Sequence, residues 1–222
     1  MRNPCFAAPS PGPALPLPRK KKRLTAKDLQ REATRARLLD AARRLFEAHG
    51  YNAVSTTEIA REAGVTHGLI HAHFHAKAGL LFELIAESDA AQTDAAWNAA
   101  RAERSLEARI AAILRVFAEA DASDPELLGV MEGYFWQWPE ALEQRNREQR
   151  VAGLAPLHWA LQQGVSKGEL RADLDLDRTV KALFAIYTMT LRAAVFDDAA
   201  PAACADEATA QALLLIDGAR PR

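Results

Sequence analysis

Cysteine is nearly absent. Cys5 and Cys204 are the only two in 222 residues, they lie at opposite ends, and no CxxC spacing occurs, which excludes a disulfide framework and a thiolate metal site. An excess of one charge is also missing: 28 Lys+Arg stand against 29 Asp+Glu, a formal net charge of -1. Taken as a sum, that balance gives no sign of a polyanionic partner. The apolar stretch Ala182–Leu191 runs ten residues without a charge, and no uncharged stretch of the folded part exceeds the sixteen of Val151–Ser166, against the roughly 20 that span a membrane as a helix. No alternating β-branched or aromatic run bounded by hairpin turns is found, so no sheet is expected. Catalytic signatures are equally scarce. There is no GxSxG elbow, no glycine-rich phosphate loop and no cysteine beside the histidines. Asp173, Asp175 and Asp177 alternate, but without the glycine and distal glutamate of a calcium loop. Neither enzyme activity nor a cofactor is expected.

What is present has the composition of a soluble globular chain, 49% hydrophobic and 26% charged, long enough for one or two domains. Position resolves the charge. Residues 1–80 hold 14 Lys+Arg and 6 Asp+Glu (+8), which leaves 14 and 23 (-9) for residues 81–222. A basic head on an acidic body is the asymmetry expected when only one part meets a polyanion. Residues 3–18 are uncharged but interrupted by six prolines, so they read as neither a signal peptide nor a lipid anchor, and a cytoplasmic location is expected. The basic run Arg19–Arg23 follows. Residues 1–24 are therefore expected to form a flexible proline-rich and basic arm that adds nonspecific attraction to phosphates.

From Thr25 onward the 3.6-residue period dominates, and the fold is read as all-α. A first helix is expected over Ala26–His49, with Gly50 as its stop. Ser55-Thr56-Thr57-Glu58 is a capping box opening a second helix that ends at Ala63-Gly64. Thr66 is read as the cap of a short third helix. A fourth runs over Ala76–Asn98, and further helices are expected over Leu106–Ala120, Pro125–Trp136, Ala141–Gln163, Leu176–Phe196 and Glu207–Asp217. The Leu176–Phe196 segment is apolar on more than one face and must bury both, inside its own domain or against another subunit. The expected division is a three-helix unit over residues 25–80 and a helical bundle over 81–222.

Two short helices joined through Ala63-Gly64-Val65 inside a basic unit meet the physical requirements of a helix-turn-helix. Val65, Ile70 and Phe74 would pack inward, leaving Thr66, His67, Gly68, Leu69, His71, Ala72 and His73 to face DNA. The pattern resembles the tetracycline-repressor (TetR) family of bacterial transcription regulators. The resemblance rests on Ala41–Phe46, Gly50-Tyr51, Ser55–Thr66 and His73–Leu80, 28 residues within the 40 of Ala41–Leu80. It implies a homodimer joined through the last two helices and bound to a double-stranded, pseudo-palindromic operator. It also implies repression relieved by a small-molecule effector. Carried over by position, Thr56 and Lys77 fall where the family meets phosphates, with Ser55 and Thr57 beside them, and Thr66–Leu69 fall on the base-reading stretch. His71 departs from the family's usual aromatic, most often tyrosine; a ring N–H would replace the hydroxyl and bring pH sensitivity.

His67 and His71, four residues apart, have the spacing of a metal pair on one helix face, but no HExxH glutamate or third ligand follows, so no metal site is assigned. In the C-terminal part, aromatic residues concentrated in helices suit an apolar or aromatic effector, and Phe117, Trp136, Trp159 and Tyr187 are the candidate pocket residues. The competing reading is a helical small-molecule-binding or scaffold protein that no longer reads DNA.

Overall fold

The computed structural model describes residues 25–221, which form eleven helices and no strand. The all-α reading holds; the arm expected at residues 1–24 lies outside the described residues. α1 (Ala26–His49) starts at a capping box in which Thr25 and Asp28 exchange hydrogen bonds, and Gly50 ends it at φ 75, a backbone region that favours glycine. α2 (Thr56–Glu62) opens at Ser55 with the expected capping box. Its end is a Schellman turn: the Val65 amide donates to the Ala60 carbonyl at 3.0 Å while Gly64 takes φ 64. α3 (Gly68–Phe74) has no side-chain cap. Its N-cap is His67, and the Leu69 amide donates to the Thr66 carbonyl at 3.0 Å. The cap expected of Thr66 is thus replaced by a tight first turn.

α4 (Lys77–Ala102) runs a turn further than expected and belongs to two buried clusters. Near its start Leu80 joins Leu38, Ala42, Ile59, Ile70 and Phe74 in the N-terminal core; near its end Ala96 and Ala100 join the C-terminal one. The C-terminal cluster is built around α5 (Leu106–Asp121), which packs against α4, α8 (Ala155–Ser166) and α11 (Pro201–Asp217). α6 (Pro125–Tyr134) stops two residues before the expected Trp136. The single helix expected over Ala141–Gln163 is two, α7 (Glu140–Gly153) and α8, broken at Leu154. Pro156 lacks the amide that would bond back to the α7 carbonyl at Ala152, so a new helix starts with the proline in its first turn. The long apolar segment likewise divides into α9 (Leu176–Thr190) and α10 (Arg192–Phe196). The last helix begins at Pro201, six residues before the expected Glu207, because a proline is favoured at a helix's first position.

Two contacts fix the N-terminal core on the rest. Glu83 of α4 pairs with Arg35 of α1 at 2.5 Å and with Arg145 of α7 at 2.7 Å. Burial works to raise the Glu83 carboxyl, but hydrogen bonds from Arg145 and Arg35 outweigh it and hold the group below its ordinary value. The second contact is a hydrogen bond of 2.8 Å between the hydroxyls of Tyr51 and Tyr134.

Candidate functional site

The helix-turn-helix presents a short exposed face. Ile70 and Phe74 are buried and Val65 is half-buried against the N-terminal core, as their spacing requires. Thr57, Thr66, His67, Gly68, His71 and Ala72 are exposed, and open space surrounds Gly68. Two residues expected on that face differ. Leu69 is half-buried and packs on the core, since an apolar side chain beside Val65 gains more from the cluster than from water. His73 is also half-buried; burial, then the charges of Arg31 and Arg35 on α1, lower its pKa. Ser55 has spent its hydroxyl, which donates to Glu58 Oε2 at 2.7 Å and accepts the Glu58 amide.

Thr56 and His67 meet across the turn, Thr56 Oγ1 lying 2.9 Å from His67 Nε2. The rings of His67 and His71 stand edge to face, 5.5 Å apart. His71 Nδ1 donates to the His75 carbonyl at 2.7 Å, and the His75 amide returns a bond to the His71 carbonyl. This exchange pins His75 at φ 66, an uncommon conformation for a residue with a Cβ. It also leaves only Nε2 of His71 free, an acceptor in the neutral ring and a donor in the charged one. Lys77 is held by aromatic faces: its Nζ lies 4.1 Å from the centre of the Tyr51 ring and 6.0 Å from that of Phe46.

A cavity of about 170 Å³ lies inside the C-terminal bundle, bounded by α4, α5, α6, α7, α9 and the turn after α6. Of the four candidate pocket residues, Phe117 and Tyr187 line it, with ring centres 5.9 Å apart. Trp136 does not: it is 85% exposed, because α6 ends before it and the following turn points it outward. Trp159 belongs to a separate surface cleft, packed on Trp97 with Arg109 over its other side. The residues missed from sequence are Phe135 and Trp138 in the turn, and the polar group Asp89, Gln92, Asp121, Glu132 and Arg150.

Asp121 is the hub of that group. Tyr187 donates its hydroxyl to Asp121 Oδ2 at 2.5 Å and Gln92 donates Nε2 to Oδ1 at 2.9 Å. Burial raises the Asp121 carboxyl and the two hydrogen bonds oppose the rise. Burial, then the Asp121 charge, raises Asp89 to about 7 and lifts Glu132 above its ordinary value as well. The cavity also touches the DNA-facing part. Trp138 lines it and packs edge-on to Phe82 at 5.3 Å, and Tyr134, stacked on Trp138 at 4.7 Å, reaches Tyr51.

Known proteins resemble the chain in sequence and in fold. The family profile described as bacterial regulatory proteins, tetR family, matches residues 38–84, the segment that holds the helix-turn-helix. The probable HTH-type transcriptional regulator ArpR of Pseudomonas putida is 30% identical over 163 residues, 69% of this chain and 76% of that protein. The chain belongs to the TetR family. The HTH-type regulator SrpR of the same species is 28% identical over 159 residues, 71% of this chain and 73% of the relative. In structure, the Thermus thermophilus FadR repressor in complex with lauroyl-CoA superposes with a TM-score of 0.70 at 25% identity, over 85% of this chain and 96% of that one. As a TetR-family protein the chain is a DNA-binding transcriptional regulator, and its curated relatives are transcriptional regulators too.

The raised carboxyls make a prediction about stability. The ordinary value for Asp89 is 3.8 and its folded value is about 7, so the folded state binds the proton more tightly. The stability this contributes is present at low pH and is lost as pH rises through about 7. His73, whose pKa is lowered, acts in the opposite direction, but only as pH falls below its ordinary 6.5. The free protein should therefore melt at least ~2 °C higher at about pH 6.5 than at about pH 8.5, and Asp89→Asn should flatten most of that difference. Melting curves followed by circular dichroism at the two pH values check this; an unchanged slope in the variant contradicts it.

Proposed function

We propose that this regulator is an effector-released repressor acting as a homodimer on a pseudo-palindromic operator in the cytoplasm. Residues 25–80 form the reading head in this proposal, and residues 81–222 bind the effector and the second subunit. The observation that carries the reading is the turn after α6. Phe135 and Trp138 line the cavity, while Tyr134 bonds to Tyr51, whose ring holds Lys77 at the start of α4. A ligand that pushes on Phe135 or Trp138 acts on the element that orients the head.

On the DNA side, Thr66, His67, Gly68 and Ala72 form the base-facing edge, and Thr56, Thr57 and Lys77 serve the phosphates. Ser55 acts as the cap that orients Thr56, and Leu69 and His73 support the helix from behind. His71 meets a phosphate as the charged ring, because its Nδ1 proton is engaged with His75 and only a protonated Nε2 can donate. Two such heads must reach successive major grooves, roughly 34–36 Å apart, so a small rotation of α4 that changes this distance costs affinity.

The last two long helices, α9 and α11, supply the dimer face. Met189 of α9, Leu214 of α11 and, between them in sequence, Phe196 of α10 are 65%, 74% and 67% exposed. The Leu176–Phe196 segment is long and apolar enough in composition to resemble a membrane span, yet only 33% of its most apolar 18-residue window is buried. A second copy of the chain gives this surface the cover that a TetR-family homodimer implies. On the effector side, the cavity keeps Phe117 and Tyr187 from the expected set, and its apolar walls support a ligand with an apolar or aromatic body. A fold relative holding lauroyl-CoA supports reading this interior as the effector site.

Two measurements test the proposal. Lys77→Ala should weaken binding to promoter-region DNA similarly across sequences and reduce the slope of log affinity against log salt by about 1 per subunit. Fluorescence anisotropy over a salt series reads this, and an unchanged slope removes Lys77 from the phosphate contacts. The double variant Met189→Glu/Leu214→Glu should elute as a monomer with its helical content retained, and lose operator affinity by at least ~100-fold for want of the second head. A variant that remains dimeric and bound places the interface elsewhere.

A further inference from the structure

The cavity carries more acid than its surroundings can balance. Asp89 of α4, Asp121 of α5 and Glu132 of α6 line it, and the one cationic side chain among its lining residues is Arg150 of α7. Arg150 is engaged otherwise, its guanidinium carbon lying 5.5 Å from the centre of the Phe135 ring, and among the described residues it forms no ion pair with any of the three carboxylates. Arg192 of α10 reaches Glu132 through its charge alone. Asp121 accepts from Tyr187 and Gln92, whereas no side chain among the described residues donates to Asp89 or Glu132. The remaining walls are aromatic and aliphatic, with Phe117, Phe135, Trp138 and Phe184 facing one space.

A carboxylate facing an apolar cavity is costly unless it is protonated or meets a positive charge. Burial raises all three above their ordinary values; the hydrogen bonds from Tyr187 and Gln92 oppose the rise at Asp121, the Arg192 charge opposes it at Glu132, and nothing opposes it at Asp89. Aromatic faces add attraction for an organic cation and none for an anion. The volume of about 170 Å³ is close to the ~150 Å³ of an apolar cavity known to admit benzene, room for a single ring or a similarly compact body. An acyl-CoA brings phosphates, which three carboxylates would repel.

We propose that the ligand of this cavity is a small organic cation, an ammonium group on a compact apolar or aromatic body, whose charge is received by Asp121 with Asp89 and Glu132 and whose body packs against the aromatic walls. This deepens the effector reading above and rests on it. An ammonium ion placed there turns an electrostatic penalty into paired charge, and neutral molecules of the same shape cannot do so.

The test uses the full chain and a matched set of probes at about pH 8, above the value of about 7 to which Asp89 is raised: benzyltrimethylammonium, its neutral carbon isostere neopentylbenzene, the anion phenylacetate, and lauroyl-CoA. Calorimetry or quenching of tryptophan emission should show the cation binding at least ~10-fold more tightly than the isostere, with the two anions weaker still. Asp121→Asn and Glu132→Gln should each lower the affinity for the cation by ~10-fold while leaving that for neopentylbenzene unchanged, which also reports that the cavity remains folded. Equal or tighter binding of the isostere or of either anion overturns the assignment, as does failure of the cation to bind. Operator release is followed in the same samples. An anion that binds and releases DNA sinks the cation and spares the effector reading. A cation that binds with the stated carboxylate dependence but leaves the operator bound does the reverse.

Discussion

The hydrogen bond between Tyr51 and Tyr134 is the contact that ties the DNA-facing part of this regulator to the wall of its cavity. Its two residues differ in what else they hold. Tyr51 is 8% exposed and carries Lys77 on its ring face, while Tyr134 stacks on Trp138, a wall of the cavity. Burial and the bond to Tyr134 raise the pKa of the Tyr51 hydroxyl, so it stays protonated and able to donate. A neutral hydrogen bond contributes about 0.5–1.5 kcal/mol net and an aromatic stack a similar amount. Together they match the ~1–3 kcal/mol by which an effector typically shifts the affinity of a distant site. A stronger link would lock the head to the body, and a weaker one would leave it indifferent to the cavity. The Glu83 pairs with Arg35 and Arg145 supply the second tether, on the other side of α4.

The division of charge along the sequence acquires a finer meaning in three dimensions. The acidic excess of residues 81–222 is not spread only over a surface that repels the duplex. Part of it lies inside, on three helices that converge on one cavity. Those three carboxylates are far apart in sequence and each sits among apolar neighbours on its own helix, where acidic residues ordinarily mark the solvated face. Nothing local distinguishes Asp121 from Glu119, yet the first bonds to Tyr187 in the interior.

The same reasoning explains how much of the molecule was legible beforehand. The helix-turn-helix was readable almost residue by residue, because capping boxes, the Gly64 turn and the Ile70–Phe74 spacing are local signals that do not depend on distant partners. The break between α7 and α8 and the start of α11 escape a periodic pattern because a proline begins a helix there, at Pro156 and Pro201. Leu69 packs on the N-terminal core and His73 lies near the charges of Arg31 and Arg35 on α1, placements that the period of a seven-residue helix cannot reveal. Aromatic content pointed to the bundle, and two of the four residues it singled out, Phe117 and Tyr187, line the cavity. Which way Trp136 points depends on where α6 stops, and Trp159 faces Trp97 across a different pair of helices.

The central claim is that the cavity wall and the DNA-binding head are energetically one system joined at Tyr134. A double-mutant cycle on operator affinity tests it most directly. It uses Trp138→Phe in the cavity wall, Tyr51→Phe in the head and the pair together, with an operator isolated by selection from a random duplex pool. Trp138 and Tyr51 each contact Tyr134. The account predicts that the two effects fail to add by at least ~0.5 kcal/mol; effects that add within ~0.3 kcal/mol would show that the cavity does not reach the head through this turn.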